Sequence, residues 1–146
     1  MISTPRLRGL LLPGLMLLVS GCDFGQTTPT SPDQSSIQYS QVDLTVGTGA
    51  QAVAGNTVTV QYGLWLYSDT AADHKGTQLQ PGQFSFVLGA NQVIKGFDMG
   101  VTGMNVGGTR RVIVPPSLAY GSSGDSGGTI PPNAALVFDI ALVAVQ

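Results

Sequence analysis

The run Val93-Ile94-Lys95-Gly96-Phe97-Asp98-Met99-Gly100-Val101 decides how this chain folds. A strand-like segment, Phe84-Ser85-Phe86-Val87-Leu88-Gly89, leads into it through a polar turn. From Gly96 onward Phe97, Gly100, Val101 and Met104 recur at helical spacings of three and four. A helix this short does not persist alone in water and needs a sheet over its apolar side. The flanking sequence reads as that sheet.

Before the run, Val42, Leu44 and Val46 alternate as in a strand, broken by Gly47-Thr48-Gly49. Thr57 to Tyr67 is a long strand with Val58, Val60, Tyr62, Leu64 and Leu66 on one face. Residues 68 to 83 are polar and predict a loop. After the run, Gly107-Gly108 turns the chain into a strand, Thr109 to Val114, which Pro115-Pro116 stops. A last strand, Ala135 to Val145, puts Leu136, Phe138, Ile140 and Leu142 on one face. There is no internal repeat. The pattern predicts an α+β domain with an antiparallel sheet around one short helix.

The chain has 146 residues, enough for one domain and a tail. It opens with Arg6 and Arg8, an apolar run from Leu10 to Val19, then small residues, the three parts of a secretory signal. That run, interrupted by Pro13, falls short of the ~20 apolar residues of a spanning helix. It ends Val19-Ser20-Gly21-Cys22, and Cys22 is the only cysteine. The tetrad resembles the lipobox of bacterial lipoproteins, which implies a signal peptide over 1–22 and a lipid anchor on Cys22. The protein is then expected on the extracytoplasmic side of a bacterial membrane. Residues 23–38, rich in Ser, Thr, Pro and Gln, predict a flexible tether to a domain over 39–146. Past the signal, four basic residues face eight aspartates. Nucleic acid is excluded as a partner, because such binding rests on neutralising phosphates.

Few residues suggest bond-making chemistry. His74, the only histidine, lies near Asp69 and Asp73 with no spacing of metal ligands, and predicts a solvated loop residue. Arg110 and Arg111 predict a solvated strand edge. The loop Ser122 to Thr129 lacks the lysine and following helix of a phosphate cradle. The residues supply no nucleophile, general base or metal site, and taken alone they favour a binding module.

Four motifs say more. Val93-Ile94-Lys95-Gly96-Phe97, Ala119-Tyr120-Gly121, Ile130-Pro131-Pro132 and Leu136-Val137-Phe138-Asp139 resemble, in order and spacing, the FKBP-type peptidyl-prolyl isomerases. The likeness runs from about Val42 to Gln146. It implies a half-barrel sheet wrapped around one short helix, and catalysis of rotation about X–Pro bonds of exported or envelope polypeptides, with no cofactor and no metal. By position it implies catalytic roles for Tyr62, Ile94, Phe97, Tyr120 and Phe138, and substrate contacts from Phe84, Val93 and Ile130. Proline-containing polypeptides are then the partners, and macrolide inhibitors of the family are expected to bind. One segment departs from the pattern. The family's Phe-Asp-Ser-Ser stretch, which carries the pocket's acid, is replaced by a shorter Gly76 to Phe84, with Leu79 and Gln80 nearest to it. This loss supports an alternative, a proline-peptide-binding chaperone module with reduced catalysis.

Overall fold

The computed structural model describes residues 33–146; the expected signal peptide over 1–22, with Cys22, lies outside the described residues. The elements are β1 (Ser40–Thr45), β2 (Thr57–Tyr67), β3 (Lys75–Gln78), β4 (Gly82–Val87), α1 (Lys95–Val101), β5 (Thr109–Val114) and β6 (Leu136–Val145). The strands form one sheet in the order β1-β5-β6-β2-β3, and β4 also pairs with β2. Every pairing is antiparallel. Along one edge β2 meets β6, from Val58↔Val145 to Leu66↔Leu136. Its other edge meets β4 first and β3 beyond. The expected antiparallel sheet around a single helix is the fold observed.

The alternation in β2 and β6 explains the core. Val58, Val60, Leu136, Phe138, Ile140 and Leu142 are buried on the inner face, joined by Val112 and Val114 of β5. Helix α1 closes over them with Phe97 and Val101 buried. It approaches β5 through two glycines, Gly96 against Val114 and Gly100 against Val112.

The two arginines are not a solvated edge. Arg110 is buried, at 8% exposure. Its guanidinium donates to the carbonyls of Gly100 (3.0 Å) and Thr102 (3.1 Å), which the end of α1 leaves without helical partners. Its Nε donates to Asp43 at 2.6 Å. Strand β1 makes this possible, because it pairs with β5 and sets Asp43 opposite Arg110. Arg111, on the other face, donates to Asp139 at 2.7 Å, and Lys75 binds the same carboxylate.

Three further features go beyond the expectation. Val42, Leu44 and Val46 do alternate in and beyond a strand, yet they are 55%, 48% and 71% exposed, so their face is the outer one. The polar segment 68–83 contains β3 and the start of β4, both paired to β2. Within its remaining loop, half-buried His74 has φ 59 and stacks on the Tyr67 ring at 4.9 Å. Finally, contacts with the sheet begin before residue 39: Gln34 is buried and hydrogen-bonds to both Tyr67 and Ala135.

The ion pairs make acid the weak side of this fold. The Arg110 hydrogen bond holds the Asp43 carboxyl below its usual range. Burial raises Asp139, but hydrogen bonds from Arg111 and Lys75 outweigh it and leave that carboxyl lowered too. A carboxyl with a depressed folded pKa contributes stability above the unfolded value of ~3.9 and loses it as pH falls through the folded one. The urea midpoint should therefore be level from about pH 5 to pH 8 and drop below about pH 4. A level midpoint down to about pH 2 would mean these pairs contribute nothing.

Candidate active site: an aromatic pocket between sheet and helix

Between α1 and the inner face of the sheet lies a cavity of about 280 Å³. Strand β2 supplies Tyr62 and Leu64, β4 supplies Phe84, β6 supplies Phe138, and α1 supplies Phe97. Gln92, Val93 and Ile94, just before the helix, and Tyr120 complete the lining. The structure thus brings together seven of the eight pocket residues expected from the sequence.

Ile130 is the exception. It lies 6% exposed within the hydrophobic core, outside the cavity lining. Its N–H donates to the Asp125 carboxylate at 2.6 Å, and its carbonyl accepts from Asp125 N–H at 3.2 Å. That double tie draws Ile130 inward beneath the loop. Leu64 and Gln92 join the lining instead. Leu64 was legible, since it shares the face of Tyr62 two residues on; Gln92 sits in a polar turn that carries no signal.

Three of the ring pairs pack edge to face. Phe97 meets Phe138 with centroids 5.1 Å apart at 77°, and Tyr62 at 5.7 Å and 82°. Tyr62 meets Phe84 at 5.6 Å and 89°. Edge-to-face contact sets the positive ring edge on the negative face of the neighbour, which fixes each ring's tilt. The Tyr62 ring also leans across its strand partner Gly82, where a Cβ would come within 2.9 Å of the hydroxyl. A side chain at 82 would push the tyrosine out of place.

Polar groups in the lining are few. Ile94 precedes the helix at φ −59° and ψ 147°, and its carbonyl accepts from Phe97 and Asp98. Its own N–H has no partner among the described residues. The Asp98 carboxylate accepts from Gly89 N–H at 3.0 Å, and Gln92 Oε1 accepts from Val87 N–H at 2.8 Å. These bonds lash the rim to the end of β4. Tyr120 is 41% exposed at the mouth. Burial, then the charge of Asp125, then Tyr62 raise its pKa above the usual tyrosine value, so the hydroxyl keeps its proton at neutral pH.

Among the described residues, no Asp, Lys, Arg or His lines this cavity. Gln80, nearest in sequence to the family's pocket acid, is exposed, and Leu79 packs against the core. Among the described residues there is also no cluster of His, Cys and Asp able to hold a metal. A broader depression of about 490 Å³, with Gln61, Gly63 and Asp139 at its border, has no comparable aromatic walls.

A half-barrel sheet wrapped on one helix, with an uncharged aromatic pocket between them, defines a class of proline-directed binding enzymes. The comparisons agree. The profile described as FKBP-type peptidyl-prolyl cis-trans isomerase matches residues 48–143. An FK506-binding protein of Neisseria meningitidis serogroup B is 43% identical over 103 residues, covering 70% of this chain and 92% of that protein. One from Streptomyces anulatus is 47% identical over 107 residues, covering 70% and 82%. The crystal structure of FkpA from Escherichia coli superposes with a TM-score of 0.62 at 32% identity, covering 77% of this chain and 50% of that one. The chain belongs to the FKBP-type peptidyl-prolyl cis-trans isomerases. It is a rotamase, and its family binds proline-containing substrates and FK506-type ligands.

Proposed function

We propose that the aromatic cavity is the isomerase site and that the enzyme works from a lipid anchor on Cys22, on X–Pro bonds of exported or envelope polypeptides. The observation that carries the site is the cavity's chemistry: aromatic walls, an Ile94 N–H with no partner among the described residues, the Tyr120 hydroxyl, and no charged side chain among the described residues of the lining.

The chemistry follows from the peptide bond. Rotation meets a barrier of ~18–20 kcal/mol because resonance gives C–N double-bond character. X–Pro bonds populate both isomers but exchange over tens of seconds or longer. The twisted transition state has lost the resonance, so its carbonyl is less polar than that of the planar amide. A dry aromatic pocket favours it over the planar form, and this differential binding lowers the barrier. Phe97 forms the floor under the proline ring; Tyr62, Phe84 and Phe138 wall it. Ile94 N–H and Tyr120 Oη–H bond substrate carbonyls and hold one half of the bond still while the other turns. Val93 and Leu64 exclude water. No proton transfer is required.

The test is a prolyl isomerisation assay on the chain from Asp23 onward, with several X–Pro peptides and an FK506-type macrolide. Macrolide-inhibitable turnover is the expected result. No turnover, with proline peptides still bound, would leave the binding-module alternative. Tyr120→Phe removes one hydrogen bond of about 1 kcal/mol. It should lower kcat/KM about fivefold with no change in urea midpoint. Full turnover in that variant would remove the hydroxyl from the site.

For the anchor, the support is the Val19-Ser20-Gly21-Cys22 sequence after a short apolar run. Cys22→Ala in the full chain should shift the protein from the membrane to the soluble fraction. Continued membrane attachment would exclude lipidation at Cys22 as its cause.

A further inference from the structure

Ahead of β1, one side chain of the stretch 33–39 hydrogen-bonds into the sheet. The β2–β6 register continues one step past Leu66↔Leu136 and sets Tyr67 opposite Ala135, where Tyr67 N–H donates to the Ala135 carbonyl at 2.9 Å. In an antiparallel rung of this kind the return bond runs from the second residue's N–H to the first one's carbonyl. Here an amide is wedged into that place. Ala135 N–H donates to Gln34 Oε1 at 2.7 Å, and Gln34 Nε2 donates to the Tyr67 carbonyl at 3.2 Å. Gln34 is 8% exposed; its bond with Ala135 is buried and its bond with Tyr67 partly so.

The rung Gln34 completes is the end of the pocket wall. Three residues inward lie Leu64 and Phe138, paired with each other and both lining the cavity. Two residues before Ala135, Asn133 N–H donates to the Gly121 carbonyl at 2.9 Å, and Gly121 follows Tyr120. One tie at Ala135 therefore bears on the Phe138 wall in one direction and on the Tyr120 hydroxyl in the other. The residue type fits the place. A primary amide presents an acceptor and a donor from one planar group.

We infer that Gln34 is a positioning residue for the isomerase pocket, fixing where β6 begins and with it Phe138 and Tyr120. The family match begins at residue 48, so this makes a segment outside it part of the catalytic unit. The inference rests on the reading of the cavity as the isomerase site.

Gln34→Glu tests it. A protonated carboxyl reproduces both halves of the amide, a C=O for Ala135 N–H and an O–H for the Tyr67 carbonyl. The carboxylate keeps only the first. Buried against a carbonyl, the acid has a folded pKa raised above the ordinary ~4.3. Its full clasp is present at low pH and is lost as pH rises through the folded pKa. In the full chain in detergent, kcat/KM of Gln34→Glu should be within about twofold of the unaltered protein near pH 5 and about tenfold lower near pH 8. Gln34→Ala should be about tenfold lower at both. Urea midpoints at both pH values establish that each assay reads folded protein.

A Gln34→Glu loss of equal size at both pH values would make the residue merely structural and overturn the inference. So would unaltered turnover in both variants while Tyr120→Phe and Phe138→Ala still lower it. If those two pocket variants also left turnover unchanged, the pocket assignment itself would fall.

Discussion

Alanine at Gly96 should cost the domain about 3 kcal/mol or more and take most of the turnover with it. The cause is contact, not backbone freedom: Gly96 is the second residue of α1, and alanine there would even gain up to about 1 kcal/mol of helix propensity. Against that gain, the added Cβ would lie within van der Waals overlap of Val114, 2.9 Å from Cγ2 and closer still to Cγ1. Val114 is fully buried in β5, and a β-branched side chain has few rotamers to retreat into. The helix must lift, and Ile94 and Phe97 lift with it. A urea denaturation curve reads the loss as a lower midpoint at unchanged slope. The second half of the prediction separates contact from propensity: Val114→Ala in the same chain should restore part of the midpoint, giving a coupling of about 1 kcal/mol or more in a double-mutant cycle. Additive effects of the two changes, or an unshifted midpoint in Gly96→Ala, would sink the explanation.

That glycine was visible as part of a motif, while its reason was not. Alternation made β2 and β6 legible, because both strands bury one face and a period of two survives wherever one face is buried. It made β1 legible as a strand too, although Val42 and Leu44 are exposed there and nothing in the pattern says which face the helix covers. Strand β3 escaped notice since Lys75-Gly76-Thr77-Gln78 has no apolar face and exists only because β2 offers it an edge. Long-range pairing also decided the arginines, as Asp43 reaches Arg110 across 67 residues. The motifs picked out seven of the nine residues that line the cavity, while Ile130, whose N–H Asp125 binds, lies outside that lining. Gln34 was indistinguishable from the other polar residues of its segment. A side chain that completes another element's ladder leaves no periodic trace.

Phe97→Ala is expected to be the most damaging change inside the pocket. The ring is 3% exposed and touches four others, with centroids 5.7 Å from Tyr62, 5.7 Å from Phe84, 5.9 Å from Phe86 and 5.1 Å from Phe138. Emptying that position removes the transfer energy of the ring and leaves a cavity, together about 3–5 kcal/mol for a buried phenylalanine. A domain of ordinary stability, about 5–15 kcal/mol, survives this narrowly. Turnover should fall further than stability alone explains, because the floor that meets the proline ring is gone. A loss of about a hundredfold in kcat/KM corresponds to about 2.7 kcal/mol of lost transition-state binding. Phe97→Leu divides the two effects. It conserves most of the volume and should cost less than about 1.5 kcal/mol in the urea midpoint. Yet it removes the flat aromatic surface and the edge-to-face contacts that tilt Tyr62 and Phe138, so kcat/KM should still drop about tenfold. A leucine variant with full turnover would reduce Phe97 to core packing and leave Tyr62 and Phe138 as the surfaces that discriminate the twisted bond.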